Sequence, residues 1–249
     1  MQAHPLDALL SQRPLLLSGL ALPAPLTIAV LAPHPDDFDA IAVSLRHLQA
    51  QGHSIHVAVL TAGANGVEDG WNGAQGPERK AAIREAEQQA SCGFFGLPMD
   101  RLVFLRLWEG GGEPARDEAD YRKLRSYLRS MRPDMVFLPH GNDSNKTHRR
   151  TYETFASIVA ADKLRVHACL NLDAKTVSMR ADLYMYFGEE EAAWKAELLR
   201  FHRSQQERNL KTRGHGFDQR VLEVNRGSAA KAGGPLPYAE VFELRSFPG

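Results

Sequence analysis

Residues 27–32, Thr-Ile-Ala-Val-Leu-Ala, form an uninterrupted apolar run that ends in Pro33-His34-Pro35-Asp36-Asp37, and no other stretch constrains the fold as tightly. A run of this length without polar alternation suits a strand buried within a parallel sheet. The amphipathic segment that follows, with Ile41, Leu45 and Leu48, reads as a helix, so the pair is a strand feeding a helix. One histidine and two carboxylates therefore arrive together at the carboxyl end of a strand. That crevice is where open α/β sheets bind their ligands.

The rest of the chain repeats the alternation. Strands are expected over 54–60, 102–107 and 135–138, and helices over 77–95, 121–132 and 147–162. Residues 61–76 make a glycine-containing loop too long for a plain connector, and long loops at strand ends tend to be functional. Beyond them, 165–187 alternates weakly, as in two shorter strands. A helix is expected over 189–210, another over 218–230 after Gly214 and Gly216, and 239–244 reads as a closing edge strand. The fold class implied is α/β: a Rossmann-like, doubly wound, mostly parallel sheet in a single domain spanning 1–249. Residues 1–25 are expected to pack on it as a leader and 163–249 to cover the site. With 249 residues and 43% hydrophobic composition the chain can bury a substantial core.

Thirty Lys and Arg balance thirty Asp and Glu, so no global field draws the protein to nucleic acid or an anionic membrane. A small, roughly neutral substrate is the natural expectation. Cys92 and Cys169 are too few and too far apart for a disulfide scaffold or a cysteine zinc cluster. The apolar stretch 15–22 lacks a basic leader and is surrounded by Pro5, Pro14, Pro23 and Pro25, which argues against a signal peptide. Nothing approaches the roughly 18 apolar residues of a membrane span. A cytoplasmic location is expected. His4-Pro5-Leu6-Asp7 superficially repeats the later motif, but it follows no strand and precedes no clear helix, so a metal site is not expected there.

His34 and Asp37 lie three residues apart on one turn, which lets an imidazole and a carboxylate reach the same ion. A catalytic zinc takes three protein ligands and keeps a position for water. His148, just after the loop of another strand and near the start of a helix, is the best candidate for the third. The competing reading is local: Asp36 or Asp37 caps the helix and His34 satisfies nearby hydrogen bonds.

The motif Pro33-His34-Pro35-Asp36-Asp37 resembles the His-Pro-Asp-Asp signature of the PIG-L/LmbE-like zinc-dependent de-N-acetylases. The resemblance continues through Thr61-Ala62-Gly63-Ala64-Asn65-Gly66, Arg84 with Glu87, and Arg132-Pro133-Asp134. It extends to His202-Arg203-Ser204-Gln205 and Tyr238-Ala239-Glu240-Val241-Phe242. It implies one Zn2+ per chain held by His34, Asp37 and His148, with Asp36 left free as the general base, and it suggests a homo-oligomer. The chemistry agrees. A metal-bound water is acidified, the ion polarises an amide carbonyl, and an adjacent carboxylate can take the water proton and return it to the departing amine.

Two departures stand out. Phe38, followed by Asp39, takes the place of the Glu that many members carry after Asp-Asp. The family's His-Pro-Asp-His is here Asn145-Lys146-Thr147-His148, which keeps the metal ligand but removes the histidine that stabilises the oxyanion in the common pattern. Losing one oxyanion donor costs about 10²–10³ in rate. Asn145 can still donate through its amide, and His140, Lys146 and His215 are other candidates. Arg84 is placed near the substrate by the resemblance, although an arginine beside Glu87 at this spacing also suits a solvated helix pair. Asp143 and Asn142 suit hydrogen bonds to sugar hydroxyls or an Asx turn, and Trp108 suits sugar stacking or the core.

The expected activity is hydrolytic removal of an acetyl group from an N-acetylglucosamine-type amino sugar. An amidase acting on a thiol conjugate or another acyl amide would use the same machinery. A second class is a zinc-containing sugar-binding protein that lost turnover through Asn145 and Thr147. A nucleotide-binding α/β protein is the weakest reading, because the first strand leads into His-Pro-Asp-Asp and not into a Gly-x-Gly-x-x-Gly turn.

Overall fold

The computed structural model describes residues 6–7, 13–23, 25–109 and 114–249. His4 and Pro5 of the first His-Pro pair, and residues 110–112 of the loop after Trp108, lie outside them. The described residues build one mixed eight-stranded sheet: β1 (Leu15–Leu16), β2 (Thr27–Ala32), β3 (Ser54–Val59), β4 (Leu102–Phe104), β5 (Met135–Pro139), β6 (Arg165–Asn171), β7 (Leu183–Phe187) and β8 (Tyr238–Pro248). Seven helices surround it among the described residues: α1 (Ala42–Ala50), α2 (Gly76–Phe95), α3 (Pro114–Met131), α4 (Lys146–Asp162), α5 (Glu189–Leu199), α6 (Arg203–Arg213) and α7 (Phe217–Ala232).

The strands lie in the order β1-β7-β8-β6-β5-β2-β3-β4. β2 pairs in parallel with β3 on one side and β5 on the other, so the chain reverses its winding direction at β2. The carboxyl ends of β2 and β5 flank that switch point, the place where a crevice opens in a doubly wound sheet.

The apolar run of β2 is explained by its two faces. Ile28, Val30 and Ala32 pack with Phe38, Leu45 and Leu48, while Ala29 and Leu31 pack with Leu124, Leu128, Phe155 and Ile158 on the other face. No position of β2 after Thr27 faces solvent, as a central parallel strand requires.

Three details differ from expectation. The C-terminal strand is not an edge: β8 runs eleven residues, antiparallel between β6 and β7, and the edge beyond β7 is β1 from the leader. Its buried acids disguised it. Glu240 is paired with the fully buried Lys195 at 2.6 Å, and Glu243 accepts from Arg245 at 2.9 Å. The helix expected over 189–210 is broken at Arg200–His202, which carries the His202 ring into the core to meet Asp39 (Nε2 to Oδ2, 2.9 Å). α3 starts seven residues before its first expected residue.

Candidate metal centre and substrate cavity

The turn that ends β2 is bound to the neighbouring strand's loop, where Thr61 donates to the Pro33 carbonyl from its backbone N–H at 3.0 Å and from Oγ1 at 2.8 Å. Asp36 within the turn has φ +115°, a conformation that costs a non-glycine residue energy and persists only where its surroundings fix it. Here the Asp36 N–H donates to Gln88 Oε1 at 2.9 Å, and the Asp36 carboxylate meets Arg84 at 2.7 Å. Arg84 also donates to the Pro35 carbonyl. Gly63 is needed for the close fit of the loop: its φ is +62°, and a Cβ there would stand 3.0 Å from Pro35 Cδ.

His34, Asp37 and His148 offer ligand atoms that all lie within 4.8 Å of one another. His34 Nδ1 is 3.1 Å from Asp37 Oδ2, and His148 Nε2 is 3.6 Å from Asp37 Oδ1. Donors bound at about 2.0–2.1 Å to one tetrahedral ion stand roughly 3.3 Å apart, so these separations suit a shared cation. His148 Nε2 is buried and has no hydrogen-bond partner, which is costly unless something else occupies that lone pair. Its other nitrogen is well supplied: Nδ1 sits 3.2 Å from Asp143 Oδ2 and 3.3 Å from Asp173 Oδ2. A carboxylate behind a ligating imidazole fixes its tautomer and raises its basicity. Two nitrogens and one carboxylate with an open side form a donor set that fits catalytic zinc.

The electrostatics agree. Burial alone would raise the Asp37 carboxyl, but His148 and the bonds from His34 override it and hold it well below the usual carboxylate range. Burial alone would lower His148, yet Asp37, Asp143 and Asp173 push it up to about 10. Several carboxylates converging on one imidazole make a place that welcomes positive charge, and a divalent cation meets that demand.

These side chains open into a cavity of about 570 Å³. Of the residues singled out in the sequence, His34, Asp36, Asp37, Arg84, Trp108, Asn145 and His148 line it. Arg84 is no solvated helix pair: its side chain is 2% exposed, beside Asp36. Asn145 caps α4 by accepting from the Thr147 N–H at 2.9 Å, which assigns its oxygen to the helix and turns its NH₂ away from that bond. The half-buried Trp108 borders the cavity with Arg150 over its ring at 4.7 Å.

Three expected substrate contacts are not at the cavity. Asp143 lies behind His148, its Oδ1 accepting from the Asn145 N–H at 2.6 Å and its Oδ2 3.2 Å from His148 Nδ1, off the cavity lining. His140 is buried against Glu243 at 3.3 Å. His215 turns its Nδ1 towards the adjacent Gly216 carbonyl at 3.2 Å, at the start of α7 and off the lining. Lining residues that the sequence reading passed over include Glu109, Asp173, Arg208 and Arg220. Asp173 lies two residues beyond the end of β6, and that position near a strand end was the available signal.

The family model described as PIG-L, GlcNAc-PI de-N-acetylase, matches residues 29–159. Among solved structures, the chain resembles the N,N'-diacetylchitobiose deacetylase of Pyrococcus horikoshii with TM-score 0.70 and 20% identity, covering 88% of this chain and 83% of that one. The teicoplanin deacetylase Orf2, solved in a zinc-inhibited form, matches with TM-score 0.64 and 16% identity over 88% and 98%. The same fold carries other chemistry in GalB, the 4-carboxy-2-hydroxymuconate hydratase of Pseudomonas putida KT2440, with TM-score 0.56 and 15% identity over 88% and 95%. A curated relative from Bacteroides thetaiotaomicron, a putative glucosamine-6-phosphate deaminase-like protein, is 26% identical over 57% of this chain, which spans only 29% of that protein's length. No described helix is long and apolar enough to cross a membrane. Because the family match covers over half of the chain and contains the whole His34, Asp37 and His148 group, the protein belongs to the PIG-L family of de-N-acetylases.

Proposed function

We propose that the chain is a zinc-dependent hydrolase that removes the acetyl group from an N-acetylglucosamine-type amino sugar. The observation that carries this reading is the convergence of His34, Asp37 and His148 beside a carboxylate, Asp36, that is outside the ligand group and lines the same cavity. What the ion supplies when bound is Lewis acidity: a more acidic water at its open position and a polarised amide carbonyl.

The chain's own groups do the rest. Asp36 is held through Oδ2 by Arg84, which leaves Oδ1 to accept a proton from the attacking water and then to return it to the amine nitrogen as the C–N bond breaks. Asn145, with its oxygen engaged by the cap, presents its NH₂ as a donor to the carbonyl oxygen as that atom gains charge. Asp143 and Asp173 hold the His148 ring. Acetate and the free amino sugar are the products.

The test is acetate release by zinc-loaded protein, with metal content measured alongside. Asp36→Asn should keep its zinc and lose turnover, and Asn145→Ala should lower kcat by about 10²–10³. Zinc bound in Asp36→Asn with undiminished acetate release defeats the assignment of the base. The presence of Asn145 in place of a histidine favours one second reading, a zinc-containing sugar-binding protein without turnover. Glucosaminide binding with no acetate release supports that reading.

A further inference from the structure

The cavity has a chemically distinct wall away from the metal ligands. On α7, Phe217, Arg220, Val221, Val224 and Asn225 all line it, a spacing that puts them on one face of the helix. On α6, Gln205, Arg208 and Asn209 do the same. Lys175 enters from the loop after β6. Two cavity-facing helix stripes thus each carry an arginine, and Arg220 is half-buried between apolar neighbours rather than on the outer face of its helix.

The charge pairing is lopsided. Each carboxylate that lines the cavity has a partner in the fold: Asp36 has Arg84, Asp37 has His34, Asp173 has His148, Glu78 has Arg106, and Glu109 accepts from the Ala62 N–H. Among the described residues no carboxylate pairs with Lys175, Arg208 or Arg220, and the one side-chain bond of these three is Arg208 to the Gly66 carbonyl at 3.4 Å. Three cations from three separate elements, unneutralised by the protein, face the space a substrate enters.

We propose that Lys175, Arg208 and Arg220 form an anion subsite, and that the substrate is an acyl amine carrying a phosphate or carboxylate at a distance from the amide. This deepens the de-N-acetylase reading and rests on it for the word substrate, but the binding itself is separable from turnover. Arginine recognises both anions through paired N–H donors, so the two sources share one chemistry. The apolar stripe of Phe217, Val221 and Val224 suits the body of the ligand between anion and amide.

The experiment is calorimetric titration of the zinc-loaded full-length protein with four probes: N-acetylglucosamine, its 6-phosphate, its malate glycoside, and malate alone. At least one anionic conjugate is expected to bind about tenfold or more tighter than neutral N-acetylglucosamine, with the advantage shrinking as salt rises. Whether the 6-phosphate or the malate conjugate gains identifies the anion. In Arg208→Gln/Arg220→Gln the ratio of anionic to neutral affinity should collapse to within about twofold. Malate reaching the metal directly cannot mimic this result, because that contact survives the double substitution. Equal binding of neutral and anionic probes, no binding of any probe, or an unchanged ratio in the variant overturns the proposal. Selective anion binding without acetate release supports the subsite while defeating the de-N-acetylase reading, so the two fail separately.

Discussion

Replacing Arg84 by Met tests whether the turn carrying Asp36, the proposed general base, is held by charge. The guanidinium is 2% exposed and lies 2.7 Å from Asp36, itself 13% exposed, and 3.4 Å from Glu87. Methionine matches much of the volume and supplies no charge, so two largely buried carboxylates lose their cation. Glu87 keeps the bonds from Ser204, whose N–H and Oγ each donate at 2.7 Å, but Asp36 keeps no ion-pair partner among the described residues. Removing one partner of a buried pair costs about 3–5 kcal/mol. At about 2–4 °C per kcal/mol for a chain of this size, Tm should fall by roughly 6–20 °C. The assay is thermal unfolding followed by circular dichroism at saturating zinc, so that metal linkage contributes alike to every variant. Arg84→Met/Asp36→Asn removes the stranded charge and should recover about 1 kcal/mol or more of the loss. If the single variant melts within about 2 °C of the native protein, or the double is no more stable than the single, the ion pair does not hold the turn.

Three further outcomes are expected. Asp143→Asn should weaken zinc affinity about 10–100-fold in a chelator competition, because it loosens the imidazole at Nδ1, and an unchanged affinity refutes that orienting role. Gly63→Ala should lower Tm by several degrees and weaken zinc binding. The left-handed φ of +62° alone costs about 1–2 kcal/mol, and the new Cβ presses on Pro35 beneath His34, so a native-like melt would show that the loop yields freely. Glu243 has its pKa lowered: burial would raise it, but the Arg180 N–H and the Arg245 side chain outweigh that effect. Its contribution to stability is therefore present above its ordinary value of 4.5 and is lost as pH falls through the lowered one. Glu243→Gln should flatten the acid side of the stability profile, and equal acid sensitivity in the variant refutes the pairing.

What was legible in the chain were the features that local pattern determines. The uniform apolarity of β2, the Pro-bounded turn after it and the helical start at His148 sufficed to single out three side chains from two strand ends that the structure brings together. Long-range pairing was not legible. β8 reads as polar because Glu240 and Glu243 interrupt it, and only the structure shows that Lys195 and Arg180 come from elsewhere to neutralise them. Asp39 and His202 are 163 positions apart, and neither spacing nor composition announces that they meet in the core. The same limit explains His215: a glycine-flanked histidine looks mobile in sequence, whereas here the flanking glycines end α6 and cap α7 and hold the ring off the cavity. Cavity-lining Arg208 and Arg220 look like solvated helix positions until the two helices are seen to face the site.

The replacement at position 145 changes how proton transfer must be shared if the proposed reaction is correct. A histidine at that place can hold a proton of its own, but an amide cannot, so Asn145 stabilises charge by donation alone and leaves the bookkeeping of protons to Asp36. One carboxylate must then take the proton from water and deliver it to the amine, which demands that it stay fixed while its protonation changes. The structure supplies that fixity from outside the reaction. The Asp36 backbone is locked by Gln88, one carboxylate oxygen by Arg84, and Arg84 in turn by Glu87, which Ser204 anchors to α6. The strained φ of Asp36 is stable because these bonds act on it together, and the unbonded oxygen is left as the group with freedom to exchange a proton.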